Sequence, residues 1–152
     1  DADVIVVGPE SQMVALLDPD TDPYDLFRFT LGAAATVDIE TSGPDGTCVA
    51  DTRLMLIDPD VFEVPIDGNF AAGSILASDE GSGEGLCSRL TLALPAGDHY
   101  LLVDESGGDD SAIYTVRIRP VVAEDGRCDP AREFDRCATD TTCVDDDAEA
   151  DL

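Results

Sequence analysis

The chain has 152 residues, a formal net charge of −26 and 43 % apolar side chains. That is enough apolar material for one domain with a real core, while the charge excludes nucleic acid and anionic membrane surfaces as partners, because both would repel it. Every basic residue is arginine, which also excludes lysine Schiff-base chemistry and lysine isopeptide cross-links; an Asp-rich, Lys-free balance further suits a high-salt habitat, where carboxylates hold hydrated cations.

Short apolar and β-branched runs separated by turn formers occupy most of the chain, and each reads as a strand. The first, "DVIVVG" (3–8), is either the opening strand of its own sheet or one suited to completing a neighbour's. "QMVALLD" (12–18) follows. Next comes "DPDTDPYD" (18–25), with aspartates at Asp18, Asp20, Asp22 and Asp25. Such charges repel by roughly 1 kcal/mol per pair at 4 Å in water, so solvent, salt or a cation must make the cluster tolerable. Asp at the first, third and fifth places imitates an EF-hand, but Pro23 sits where that loop needs Gly and Phe29 where it needs Glu. An EF-hand is out; a solvated loop or a different calcium site through Asp18, Asp20 and Asp22 remains.

"DLFRFTL" (25–31) alternates, with Phe27, Phe29 and Leu31 opposing Leu26, Arg28 and Thr30. "ATVDIET" (35–41), "TRLMLID" (52–58), "SILASD" (74–79), "SRLTLAL" (88–94) and "HYLLVDE" (99–105) continue the series. The acidic "DESGGDD" (104–110) faces the same choice between solvation and calcium, through Asp109 and Asp110. In "IYTVRIR" (113–119), Tyr114, Val116 and Ile118 oppose Thr115, Arg117 and Arg119. No segment carries capped helical periodicity. Eight or nine short strands with turn formers between them predict an all-β sandwich or barrel, and their single apolar faces suggest two packed sheets, one side of each facing water. From about Val121 the composition turns polar and acidic, ending in "CVDDDAEADL" (143–152), and burial alone cannot order such a segment. The division is therefore a β-sandwich over 1–120 and a Cys-rich acidic tail over 121–152.

Nothing here reads as an enzyme. His99 is the sole histidine and falls in a strand, where a wet-face position is expected. Ser74, Ser78 and Ser88 lack a nucleophile elbow. Carboxylate pairs could serve glycoside hydrolysis, but with no tryptophan and 5 % aromatic residues there is no stacking platform for sugars. Cys48, Cys87, Cys128, Cys137 and Cys143 show no CxxC pairs, so disulfides outside the cytoplasm are expected rather than zinc. No run approaches the ~20 apolar residues that span a bilayer, and no secretory signal layout is present, so an exported protein is expected here in mature or trimmed form.

The ordered set "DPYDLFRFTL" (22–31), "ADTRLMLIDPD" (50–60), "ILASDEGSGEGLCSRLTLALPAGDHYLLVDE" (75–105) and "IYTVRI" (113–118) resembles the bacterial pre-peptidase C-terminal (PPC) domain family over roughly residues 12–119. The resemblance implies a secreted, non-catalytic, jelly-roll-like antiparallel β-sandwich of eight or nine strands, appended to proteases and other exported proteins. Such domains are often calcium-stabilised, and some bind a matrix polymer such as collagen. Gly97 in "LPAGDHY" then supplies a turn that bulky residues resist. Carried over, Asp51, Asp79 and Glu80 are the leading calcium ligands, as loop carboxylates beside Gly-rich backbone that can supply carbonyls. The alternative is that Asp51 and Asp79 cap turns through side chain to backbone bonds. This sequence departs from the family in having "DE" for a double Asp and an insertion, "VFEVPIDGNFAAG" (61–73).

Cys48 and Cys87 flank those same segments and are expected to pair. Of the other three, Cys128 is expected to pair with Cys137 or Cys143, leaving one thiol over; the tail resembles exported "C…RC…C" segments that usually carry a fourth cysteine, so either the chain is truncated or the leftover thiol bonds another molecule. The expected role is structural or adhesive, at the surface of or outside a bacterium, as a unit of a filament or matrix that self-associates. Alternatives are an accessory module of a larger secreted hydrolase and a polymer-binding domain.

Overall fold

The computed structural model describes residues 2–5, 7, 12–18, 23–48, 51–63, 70–83, 85–106, 112–122 and 136–137. Alternation of apolar and polar side chains produces strands wherever it was read. They are β1 (Asp3–Val4), β2 (Gln12–Leu17), β3 (Tyr24–Leu31), β4 (Ala35–Ser42), β5 (Thr52–Ile57), β6 (Ile75–Glu80), β7 (Arg89–Leu94), β8 (Gly97–Glu105), β9 (Ala112–Val122) and β10 (Arg136–Cys137). Eight are full strands and two, β1 and β10, span two residues each. One sheet runs β1-β3-β8-β5-β6; the other runs β10-β9-β4-β7, with β2 also on β9. Setting aside the two-residue strands, this is the interleaving of a jelly roll, each strand crossing to the other sheet from the one before it except β6, which pairs with β5. The all-β sandwich expected from the sequence is thus the observed fold.

The core lies between the sheets. Phe27, Phe29, Leu54, Leu101, Val103, Val37, Ile39, Tyr114, Val116 and Ile118 are each 0 % exposed. Each such aliphatic or phenylalanine side chain contributes roughly 1.5–3 kcal/mol by leaving water. Phe27 meets Tyr114 edge-on across the sheets, with ring centroids 6.5 Å apart, and the Tyr114 hydroxyl donates to Asp25 at 2.7 Å. β1 pairs in parallel with β3, and Ile5 N–H donates to the Arg28 carbonyl at 2.9 Å. The apolar N-terminal run therefore closes an edge of its own sheet. At the β7–β8 corner Gly97 has φ 130°, a conformation other residues resist, as its turn requires.

Neither outer face is as wet as the alternation suggests. Met55, Ile57 and Leu102 form a second buried cluster on the outside of the first sheet, packed against Tyr24, Leu26, Phe62, Phe70, Ile75 and Tyr100. Phe62 and Phe70 belong to the β5–β6 connection, so the insertion supplies a lid for a surface that would otherwise face water. Phe70 meets the Tyr24 ring edge-on at 6.2 Å and carries the Arg53 guanidinium 5.8 Å above its centroid. On the other sheet, Thr115 and Arg119 are buried although their alternation places them outside. Arg119 is held there by Asp38 and Glu40, so a paired charge rather than an apolar group occupies the position.

Candidate functional site

The chain's topology brings the strand ends that bound two acidic connections to one end of the sandwich. The end of β2 pairs with the start of β9 (Leu17 with Ala112), and the start of β3 pairs with the end of β8 (Tyr24 with Asp104). The connections after Leu17 and after Glu105 therefore leave neighbouring strand ends. β5 begins beside Glu105 and β6 ends beside Arg53, which brings Asp51, Asp79 and Glu80 to the same end.

The three leading carboxylates nevertheless do not share one point. Asp79 and Glu80 are consecutive in β6, so their side chains leave opposite faces of the sheet. Asp79 Oδ2 accepts from Ser82 N–H at 3.0 Å and Arg89 N–H at 2.8 Å, stapling the turn into β7. Burial pushes this carboxyl up, but the Ser82 hydroxyl and the Arg89 and Ser82 N–H groups outweigh it and hold the group below the usual carboxylate range. Glu80, on the other face, accepts from the Ser106 hydroxyl, while Ser106 N–H donates to the Asp51 carbonyl at 2.7 Å. Among the described residues, no three His, Cys, Asp or Glu side chains come together as a metal group. Asp79 does the work of a turn cap, the alternative role read from the sequence. Of the other acidic candidates, Asp18 directly follows β2, whereas Asp20, Asp22, Asp109 and Asp110 lie outside the described residues.

Beneath the acidic end, Cys48 and Cys87 form a disulfide, with Cα atoms 5.5 Å apart across a separation of 39 residues. It sits over a buried hydroxyl clasp between the sheets. Thr41 of β4 and Thr52 of β5 share a hydrogen bond of 2.5 Å, Ser88 N–H donates to Thr41 Oγ1 at 3.0 Å, and the Ser88 hydroxyl donates to the Thr52 carbonyl. Gly83 is pressed against the backbone of the bridged Cys87, and a Cβ there would lie 2.6 Å from the Cys87 carbonyl oxygen. Cys137 lies in β10, beside Val122 of β9; Cys128 and Cys143 lie outside the described residues.

The same end carries a charged feature that strand reading passed over. A cleft of about 420 Å³ is lined by Glu40, Ser42, Cys48, Cys87, Arg89 and Arg117, among others. Behind it, Asp38 is wholly buried and receives Arg89 Nε at 2.7 Å, the Thr91 hydroxyl at 2.9 Å and Arg119 at 3.7 Å. Elsewhere Asp104 receives Arg53 Nε at 2.9 Å; burial lifts its carboxyl above the usual range despite that partner. The signal for the cleft was present in "VDIE" and "IYTVRIR": in a chain with only eight basic residues, arginines alternating on one strand opposite alternating acids mark a charged face.

His99 departs from its expected place. It pairs across from Phe29 and so shares the core face, with its ring 5.3 Å from the Phe29 ring and Nε2 2.9 Å from the Pro95 carbonyl. It caps the rim of the core.

No protein-family model and no curated protein matches the sequence. Among solved structures, the pre-peptidase C-terminal domain of a collagenase from Bacillus anthracis aligns with a TM-score of 0.51 at 18 % identity, over 78 % of this chain and 94 % of that one. Two periplasmic inhibitors of g-type lysozyme align less well: PliG from Aeromonas hydrophila, with a TM-score of 0.43 at 13 % identity over 79 % of this chain and 99 % of its own, and PliG from Salmonella Typhimurium, with 0.42 at 16 % over 78 % and 99 %. The resemblance read from the ordered strand motifs thus returns as a likeness of backbone: the chain has a fold similar to that of a PPC domain.

Proposed function

We propose that this chain is a non-catalytic, exported β-sandwich unit with a structural or adhesive role, joined to its neighbours in a bacterial surface filament or matrix. The observation that carries the reading is the disulfide-tied jelly roll itself, since a bridge of this kind persists where thiols are not kept reduced. The odd cysteine count supports a covalent link to a second molecule. The sole histidine is engaged at the core rim with Phe29 and Pro95, which supports a role without general-base chemistry. Calcium belongs to the proposal through the loops that leave Leu17 and Glu105, where the topology brings two acidic segments to neighbouring strand ends and a hard cation would relieve their repulsion.

A second reading, an accessory module of a larger secreted hydrolase, is favoured by one observation. The chain's fold covers 94 % of a domain that is itself part of a collagenase. Non-reducing electrophoresis separates the two. A ladder that collapses with reductant supports the assembly unit, and a lone monomer band with a titratable thiol refutes it. Thermal melting with and without chelator tests calcium by mass action, and an unchanged midpoint would remove the ion from the proposal.

A further inference from the structure

We propose that the outer edge of β2 is a pairing surface for β2 of a second copy of this chain, the two strands running antiparallel across a two-fold axis. Among the described residues β2 pairs with β9 alone, so it ends its sheet. An edge strand presents a row of backbone donors and acceptors, and proteins ordinarily blunt such rows with charge, brevity or irregularity. The other described edges are blunted. β1 and β10 span two residues each. β6 carries Asp79 and Glu80 and a register shift against β5. At β7, Arg89 N–H donates to Asp79 at 2.8 Å and the Arg89 carbonyl accepts from the Ser82 hydroxyl at 3.1 Å. β2, "QMVALL", has no charged residue, in a chain where 28 % are charged. Met13 and Ala15 pack on the core and seat the strand. On its other side Val14 and Leu16 are 61 % and 52 % exposed, beside Ile113 at 53 %.

Self-complementarity names the occupant. Directly opposed residues share a face, so an axis at Ala15 sets Val14 against Leu16 of the second copy, and Leu16 against its Val14. Ile113 lies opposite Leu16 within each copy, so the exposed aliphatic side chains join in one stripe across the seam. Charge fixes the direction. Leu17 lies at the acidic end of the sandwich and Gln12 at the other end of the strand. Parallel pairing would lay the two acidic ends together. The antiparallel register sets Leu17 against Met13 and so parts one Leu17 from the other by about 13 Å along the strand, beyond the screening length of about 8 Å in physiological salt. A contact this small belongs to the weak, reversible class. The pairing deepens the assembly reading, on which it rests for its use. A two-fold contact closes at two copies, so an array requires it to alternate with the covalent link.

The test uses the full chain with its free thiols alkylated under native conditions, which leaves the Cys48–Cys87 bridge intact. The covalent link is read separately, on the non-reducing gel of unalkylated protein. Sedimentation equilibrium from about 10 µM to 1 mM, at about 0.15 M salt, is expected to show the mass rising from one chain to two, with β2 amide exchange slowing in step. Leu16→Asp places a charge at the seam twice over and is expected to weaken association at least about tenfold. Leu76→Asp adds the same charge on β6, where Leu76 is 59 % exposed, and is expected to change association less than about twofold. Both positions face water, so both variants are expected to melt near wild type. A one-chain mass throughout, or equal weakening by the two variants, would overturn the pairing. So would β2 amides protected equally at every concentration, because the chain itself would then cover this edge.

Discussion

Replacing both bridged cysteines, C48A/C87A, probes how much of the fold depends on the cross-link at its acidic end. The bridge closes a loop of 39 residues. In the chain-entropy treatment, releasing that loop gives the unfolded ensemble about 4 kcal/mol of freedom it lacked. Domains are stable by only about 5–15 kcal/mol, so the loss is a large share of the total. For an ordered region of this size, it corresponds to a fall of roughly 12–20 °C in melting temperature. The native state loses little directly, because the Thr41–Thr52–Ser88 hydroxyl clasp still joins the sheets under the missing sulfurs. Urea unfolding should therefore show a lower midpoint together with a steeper slope, the slope rising because the released chain exposes more surface. The double variant is preferable to reductant, which would also act on any bridge among Cys128, Cys137 and Cys143. A melting temperature within about 4 °C of wild type and an unchanged slope would refute the reasoning, showing that the unfolded chain is already confined at this loop.

Further outcomes follow from the packing. Phe29→Ala removes a wholly buried ring and is expected to cost about 3–5 kcal/mol in urea unfolding. Arg119→Met leaves wholly buried Asp38 with Arg89 as its remaining cation and is expected to destabilise by about 3–5 kcal/mol at neutral pH, read by the same assay. Asp79→Ala removes the acceptor of two turn N–H groups and should cost about 1 kcal/mol. The folded Asp79 carboxyl titrates below its unfolded value, so its contribution is fully present above the unfolded value and fades as pH falls through the folded one. The gap between wild type and variant should accordingly close in acid, and a gap that persists unchanged below about pH 2 would exclude that role. Phe70→Ala opens the outer cluster over Met55 and Leu102 and should raise binding of a hydrophobic dye, a change absent if the β5–β6 connection does not cover that face.

The alternating runs made the strands legible. "DLFRFTL" placed Phe27, Phe29 and Leu31 inward because a pleated strand sends every second side chain one way, and the Gly97 turn was readable for a similarly local reason. Polarity alone misled on the outer faces. Arg119 looks like a solvent residue until Asp38 and Glu40 from a strand some 80 positions earlier in sequence are set beside it. The insertion over 61–73 read as an interruption, yet Phe62 and Phe70 in it cover a sheet face. The ligand trio illustrates a further limit. Asp51, Asp79 and Glu80 do reach one end of the sandwich, but adjacency in a strand separates Asp79 from Glu80 across the sheet. The arginine cleft depends on β4, β7 and β9 lying side by side, a pairing no local pattern states.

The strand ends that bound the connections after Leu17 and after Glu105 meet at one pole, beside Asp51, Asp79 and Glu80, and this gives the molecule an electrical direction as well as a total charge. Two copies approaching pole to pole meet their strongest mutual repulsion, while copies meeting flank to flank, or pole to opposite pole, largely avoid it. Any array built from this chain is therefore biased in orientation before a single contact forms, and raising the ionic strength loosens that bias first, because screening acts on distant charges before it reaches buried ones.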